Sequence, residues 1–267
     1  MYYITITLIQ EVGKLVKFIG LLKKEWVLYR YWWLVAILIG FIFVYCGEYF
    51  YNQQFEITNS RLLFSSWVMV IGIFFVVIQF LASMHNDLKT KEIWLHSTSS
   101  ITQLVGVKFI FTLGNSIIFI SIFSIIGLIP PNVFNEATFV QLLFLRLFTM
   151  IFLFIEQCSF MLIVFLFLVF NIYLKNLFGR LAFIISVGSF ILIMKLWTEF
   201  HESKLYEKIF YHGEISTNRL AEFLPQSYDS IFNMMESFYM VEGLAFVIGY
   251  FLLYIFGTKW LEKVILR

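Results

Sequence analysis

Charge is scarce in this sequence. Only 13% of its 267 residues are Asp, Glu, Lys or Arg, about half the share usual in a soluble domain. A soluble fold of this size could not hide the apolar remainder, so a water-soluble enzyme or binding module is excluded. Cysteine is scarcer still. Cys46 and Cys158 are the two; both fall inside apolar runs, so neither a disulfide framework nor a cysteine-based zinc site can be built from them. The net charge of +2 gives no strong pull toward nucleic acid.

Several motifs are missing as well. No GxxxxGK[ST] phosphate loop occurs, so the chain is not expected to hydrolyse ATP alone. No HExxH-type arrangement lies in an apolar run, and no two glycines sit four apart, which removes the GxxxG helix-pairing motif. His85, His96, His201 and His212 all fall in connections, and no Ser–His or Cys–His pair shares a span. An enzyme is therefore not expected, nor any cofactor bound by this chain. Glu199, His201 and Glu202 lie close together, but their spacing is not specific for a metal and reads as a solvated helix face.

What is present is hydrocarbon. Hydrophobic residues make up 61% of the chain, with 34 Phe and a mean hydropathy of +0.87. A spanning helix needs about 20 apolar residues. Six such runs are found, at Tyr31–Tyr49, Leu62–Met84, Leu104–Ile129, Gln141–Tyr173, Phe178–Trp197 and Phe238–Phe256. None alternates as a barrel strand would, so helices are expected. Pro130 and Pro131 end the third run. No small-residue cleavage site follows the first run, so a removed leader is not expected.

Basic residues set the orientation. Lys14, Lys17, Lys23, Lys24 and Arg30 precede the first span; Lys89, Lys91 and Lys108 lie between the second and third. Lys175 and Arg180 lie between the fourth and fifth, and Lys259, Lys263 and Arg267 follow the sixth. These hold most of the 19 basic residues and place both termini in the cytoplasm. The segment from Thr198 to Ser237 then lies outside, with short helices expected near Glu199–Tyr211 and Ser227–Glu236.

Residues 10–30 carry Val12, Leu15, Val16, Ile19, Leu22 and Trp26 at three- and four-residue spacing, which gives one apolar stripe. Lys14, Lys17 and Lys24 gather on another face. Such a helix is expected to lie flat in the headgroup region, turning into the membrane at Trp26, Tyr29, Tyr31, Trp32 and Trp33.

The connection over residues 85–103 mixes charge with Trp94, Leu95 and a Ser/Thr run, and Asp87–Glu92 is expected to form a short helix that docks a cytoplasmic partner. Asp87, Lys89, Lys91 and Glu92 are followed by Leu95-His96-Ser97-Thr98-Ser99-Ser100-Ile101 and then Lys108. That order, the Leu21–Trp26 run LLKKEW and the six-span layout together resemble the permease subunit of ABC-2 type ABC transporters, with Ser99 standing where that family usually has proline. The resemblance implies an all-α integral membrane protein: an interfacial amphipathic helix and six transmembrane helices in the ABC-2 (type V exporter-like) architecture, in a bacterial cytoplasmic membrane. It implies that Asp87, Lys89, Lys91, Glu92, Trp94 and Leu95 couple to a separate ABC ATPase subunit, which carries the ATP and magnesium. It also implies a second permease protomer, the same or different, and export of a hydrophobic or amphipathic cargo, peptides or peptide antibiotics being favoured.

Glu156 stands near the middle of the fourth run beside Gln157. A carboxylate at mid-bilayer costs about 2.5–3.5 kcal/mol, so it is expected to face protein or water, on a translocation path or at an interface. Glu48 and Arg146 lie near span ends and are expected to reach the headgroups. Two other functions stay open: an ion-coupled secondary transporter or channel using Glu156, and a membrane sensor or immunity protein binding a ligand through Thr198–Ser237.

Overall fold

The computed structural model describes residues 2–54, 60–89, 99–129, 138–216 and 237–265. Seven α-helices lie among them: α1 (Tyr2–Gln54), α2 (Ser60–Lys89), α3 (Ile101–Leu128), α4 (Phe139–Phe178), α5 (Ala182–His201), α6 (Lys204–Phe210) and α7 (Met240–Ile265). Two three-residue strands, β1 (Glu214–Ser216) and β2 (Ser237–Tyr239), pair antiparallel in a ribbon the sequence did not announce. Apart from that ribbon the chain is an all-α, multi-pass membrane protein. Five helical stretches are long and apolar enough to cross a bilayer, and one of them, Phe139–His201, holds both α4 and α5.

Helix ends follow local chemistry. Ser100 and Thr138 each cap a helix in a reciprocal capping box, with Gln103 and Gln141 respectively. α4 stops at Gly179, whose φ of 58° is a left-handed conformation that side-chain-bearing residues avoid. A 3₁₀ turn at Gly179–Leu181 then leads into α5.

The first helix departs from expectation. Residues 10–30 and 31–49 belong to one unbroken helix of 53 residues, about 80 Å long at 1.5 Å per residue. The expected turn into the membrane at Trp26–Trp33 is absent, because no proline interrupts α1 and Trp26 packs along it against Trp33, with ring centroids 6.0 Å apart. Val16, Ile19 and Trp26 are exposed, whereas Glu25 and Tyr29 are buried. On the other side, the helix expected near Glu199–Tyr211 is split: α5 runs on to His201, and α6 covers Lys204–Phe210. The one expected near Ser227–Glu236 lies outside the described residues.

The helices form two compact groups. The first takes residues 1–133 and 146–161. Its apolar core is Val44 of α1, Val68 and Met69 of α2, Phe119, Ile120, Phe123 and Ile126 of α3, and Leu153 of α4. Arg146, expected at the headgroups, is instead buried in this group. Its guanidinium donates to Ser65 Oγ at 2.7 Å, Leu62 O at 3.0 Å and Ser66 Oγ at 3.0 Å, all on α2. The α2 hydroxyls and carbonyl supply inside the bundle what water would have supplied outside. Glu48 likewise turns to protein, accepting from Arg61 Nε at 2.7 Å. The second group takes residues 134–145 and 162–265. In it, Asn171 of α4 donates to Ser186 of α5 at 3.1 Å, and Trp260 of α7 packs on Phe170 and Tyr173.

Gly127 of α3 abuts Arg146, and a Cβ there would collide with the guanidinium and with Ser65 Oγ. Gly127→Ala is expected to destabilise the protein by about 1–3 kcal/mol. Gly114→Ala, with open space around it, is expected to be neutral or to stabilise by up to about 1 kcal/mol. Reversible denaturation in mixed micelles compares the two.

Candidate functional site

The first group holds a buried charge centre where α1, α2 and the start of α3 meet. Lys108 sits four residues beyond Leu104 in a run that is otherwise apolar, and its side chain is only 2% exposed. An ammonium so placed must spend its three donors on protein. It donates to Glu25 Oε1 on α1 at 2.6 Å and to Asp87 Oδ2 on α2 at 2.8 Å. Ser83, one turn before Asp87, completes the set, its hydroxyl and carbonyl both accepting from Lys108. The same hydroxyl donates to Glu25 Oε2 at 2.7 Å. Asp87 Oδ1 meets Lys24 at 2.9 Å, and Asn86 donates to the Tyr29 hydroxyl at 3.1 Å.

Two cations and two carboxylates therefore balance, with each carboxylate oxygen engaged. What it can do is hold the middle of α1, the last turn of α2 and the second turn of α3 in one register.

Of the residues singled out for coupling, Asp87 and Lys89 close α2, the first buried in this centre and the second exposed. Lys91, Glu92, Trp94 and Leu95 lie outside the described residues. Among the interfacial-helix residues, Lys24 joins the centre, while Lys17 and Trp26 are exposed; the side chain of Lys14 lies outside the described residues. Sequence reasoning passed over Glu25 and named Lys108 only as a basic residue closing the resembling segment, not as a buried charge. The available signal was a lysine inside an apolar run, which needs a buried anion to accompany it.

Glu156 and Gln157 point to different places. Glu156 is exposed, and Gln157 is fully buried, accepting from Ser116 of α3. One turn along, Thr112 donates to the Lys108 carbonyl at 2.7 Å.

The second group has its own polar junction. Tyr206 of α6 is 2% exposed and donates to Glu242 Oε1, in the first turn of α7, at 2.6 Å. Burial, and then the Glu242 carboxylate, push the Tyr206 phenol well above its ordinary range. His201 of α5 approaches the same carboxylate oxygen at 3.5 Å and packs on the Tyr206 ring. Glu199 is occupied by Lys195 at 3.9 Å. Among the described residues no cluster of three or more His, Cys, Asp or Glu is arranged to hold a metal. Beside the junction a shallow pocket of about 530 Å³ is lined by Lys204, Lys208, Tyr211 and Tyr239 among others; its two tyrosine rings stack 4.2 Å apart.

Removing one member of a buried ion cluster leaves the others uncompensated. Lys108→Met is expected to cost about 3–5 kcal/mol, against under about 1 kcal/mol for Lys24→Ala, whose own side chain is 39% exposed. Denaturation midpoints of the two variants in the same micelles give the comparison. No family model matches this sequence, and neither a curated protein nor a solved structure matches it.

Proposed function

We propose that the chain is the permease subunit of an ATP-driven ABC exporter, with ATP and magnesium held by a separate ATPase subunit. The observation that carries this reading is the Lys108 centre. It ties α1, the last turn of α2 and the first turns of α3 together beside the 90–98 connection, the segment whose residues resemble the ABC-2 coupling loop. In this reading that end of the bundle faces the cytoplasm, as the basic residues require.

ATP binding closes the ATPase pair. The motion enters through the connection and reaches α2 and α3 directly, and Asp87 and Lys108 carry it to Glu25 on α1. The ATPase shifts the permease only by binding one of its states better than the other. A second permease protomer, the same or different, completes the path, and cargo leaves between the protomers or along their lipid-facing sides. The apolar and aromatic composition of the chain supports a hydrophobic or amphipathic cargo, with peptides favoured.

Co-expression with an ABC ATPase tests both halves of the proposal. Wild type is expected to co-purify with the ATPase, and Lys91→Glu with Trp94→Ala to lose it. Glu25→Gln is expected to keep the ATPase bound while cargo efflux from vesicles falls at least tenfold. A wild-type protein that purifies alone and binds no ATPase would sink the proposal.

A further inference from the structure

We propose that Gln79 of α2 and Asn115 of α3 hold bound water inside the bundle, in a polar seam that runs on from the Lys108 centre. Two contacts set the register of α2 against α3. Ser83 meets Lys108, and Gly72 abuts the Phe119 ring. Equal stretches of chain separate these contacts on the two helices, which therefore run antiparallel without a slip. Gln79, one turn before Ser83, stands level with Thr112, one turn beyond Lys108. Asn115 lies three residues further on, about 4.5 Å along the axis. Both keep to the face that each helix turns toward the other. Gln79 is four residues from Ser83 and seven from Gly72, and Asn115 is seven from Lys108 and four from Phe119. α1 borders the seam as well, its Trp33 indole donating to the Asn115 carbonyl at 3.4 Å.

Gln79 is 5% exposed and Asn115 4%. Neither the oxygen nor the nitrogen of the Gln79 amide has a hydrogen-bond partner among the described residues, and the Asn115 amide nitrogen has none either. The two amides are therefore not bonded to each other. Their polar neighbours are engaged elsewhere. Thr112 donates to the Lys108 carbonyl, and the Ser83 hydroxyl is taken by Glu25 and Lys108. A primary amide carries two donors and two acceptor lone pairs, and apolar side chains satisfy none of them. The unmet set selects its ligand. It comprises two amide nitrogens and one carbonyl oxygen. A cation would leave the nitrogens unmet, and an anion would leave the oxygen unmet. Water both donates and accepts, and it bridges polar groups that lie beyond direct reach of one another. Buried waters are held by about three such partners, which is what the two side chains offer. Water at this level extends the polar contact among α1, α2 and α3 beyond the ion cluster.

The test is water-edited solid-state NMR on the full chain in bilayers of perdeuterated lipid, with the Gln and Asn side chains labelled. Magnetisation starts on water and is read out on the side-chain nitrogens. Gln79 and Asn115 are expected to take it up within about threefold of the rate at Gln103, whose side chain is exposed. Gln79→Met keeps the length of the side chain and removes the amide. It is expected to delete the Gln79 signal and to slow uptake at Asn115 by about threefold or more, because the water loses two of its partners. Asn115→Leu supplies the assignment and the reverse comparison if Gln79→Met does not fold. The proposal is overturned if both nitrogens stay without water transfer while Gln103 responds. A direct Gln79–Asn115 contact with no water transfer overturns it too, as does uptake at Asn115 that is unchanged in Gln79→Met.

Discussion

A lysine ammonium with almost no access to water sets the terms for the first helical group. Lys108 is carried by α3, but its partners come from α1 and α2. Hydrocarbon gives a charge nothing to bind, so the three helices can assemble at that end only in a register that delivers Glu25, Ser83 and Asp87 to one point. The rest of the group follows. With α2 and α3 fixed there, Gln157 meets Ser116, and Arg146 meets Ser65, Ser66 and the Leu62 carbonyl. Between these polar levels lies a core with nothing polar to offer, built from Val68, Met69, Phe119, Phe123 and Leu153.

The two groups solve the polar problem differently. In the first, Lys108, Glu25 and Asp87 are withdrawn among helices and engage one another. In the second, the charged residues gather where α5, α6, the ribbon and α7 meet, and they keep partial access to solvent. The surface of α5 and α7 is correspondingly apolar, with Ile184, Ile191, Leu244 and Phe251 exposed. That is the composition expected where lipid is the solvent.

How much was legible in the sequence depends on whether a signal was local. Apolar runs long enough to span were readable because length and composition alone decide them, and helix falls across all six. Asp87 was singled out, but as the start of a short docking helix rather than as a buried residue in the last turn of α2. Glu25 and Arg146 were misjudged for one reason: a charged residue's fate is set by the helix opposite, and a single sequence does not say which helix that is. The continuity of α1 was hidden because a dense group of aromatic residues marks an interface in composition without breaking a helix in geometry. The ribbon could not be read, since three-residue strands are too short to show an alternating pattern.

The form of the Lys108 centre bears on what it is for. Apolar side chains of similar shape would hold the three helices as firmly as a buried ion cluster does, and often more so. What ions add is direction. An apolar contact tolerates sliding, whereas Lys108 loses a partner if either α1 or α2 shifts by more than the reach of a hydrogen bond. Asp87 then stands in a particular position. It lies two residues from the end of α2 and is paired with both neighbouring helices, with α3 through Lys108 and with α1 through Lys24.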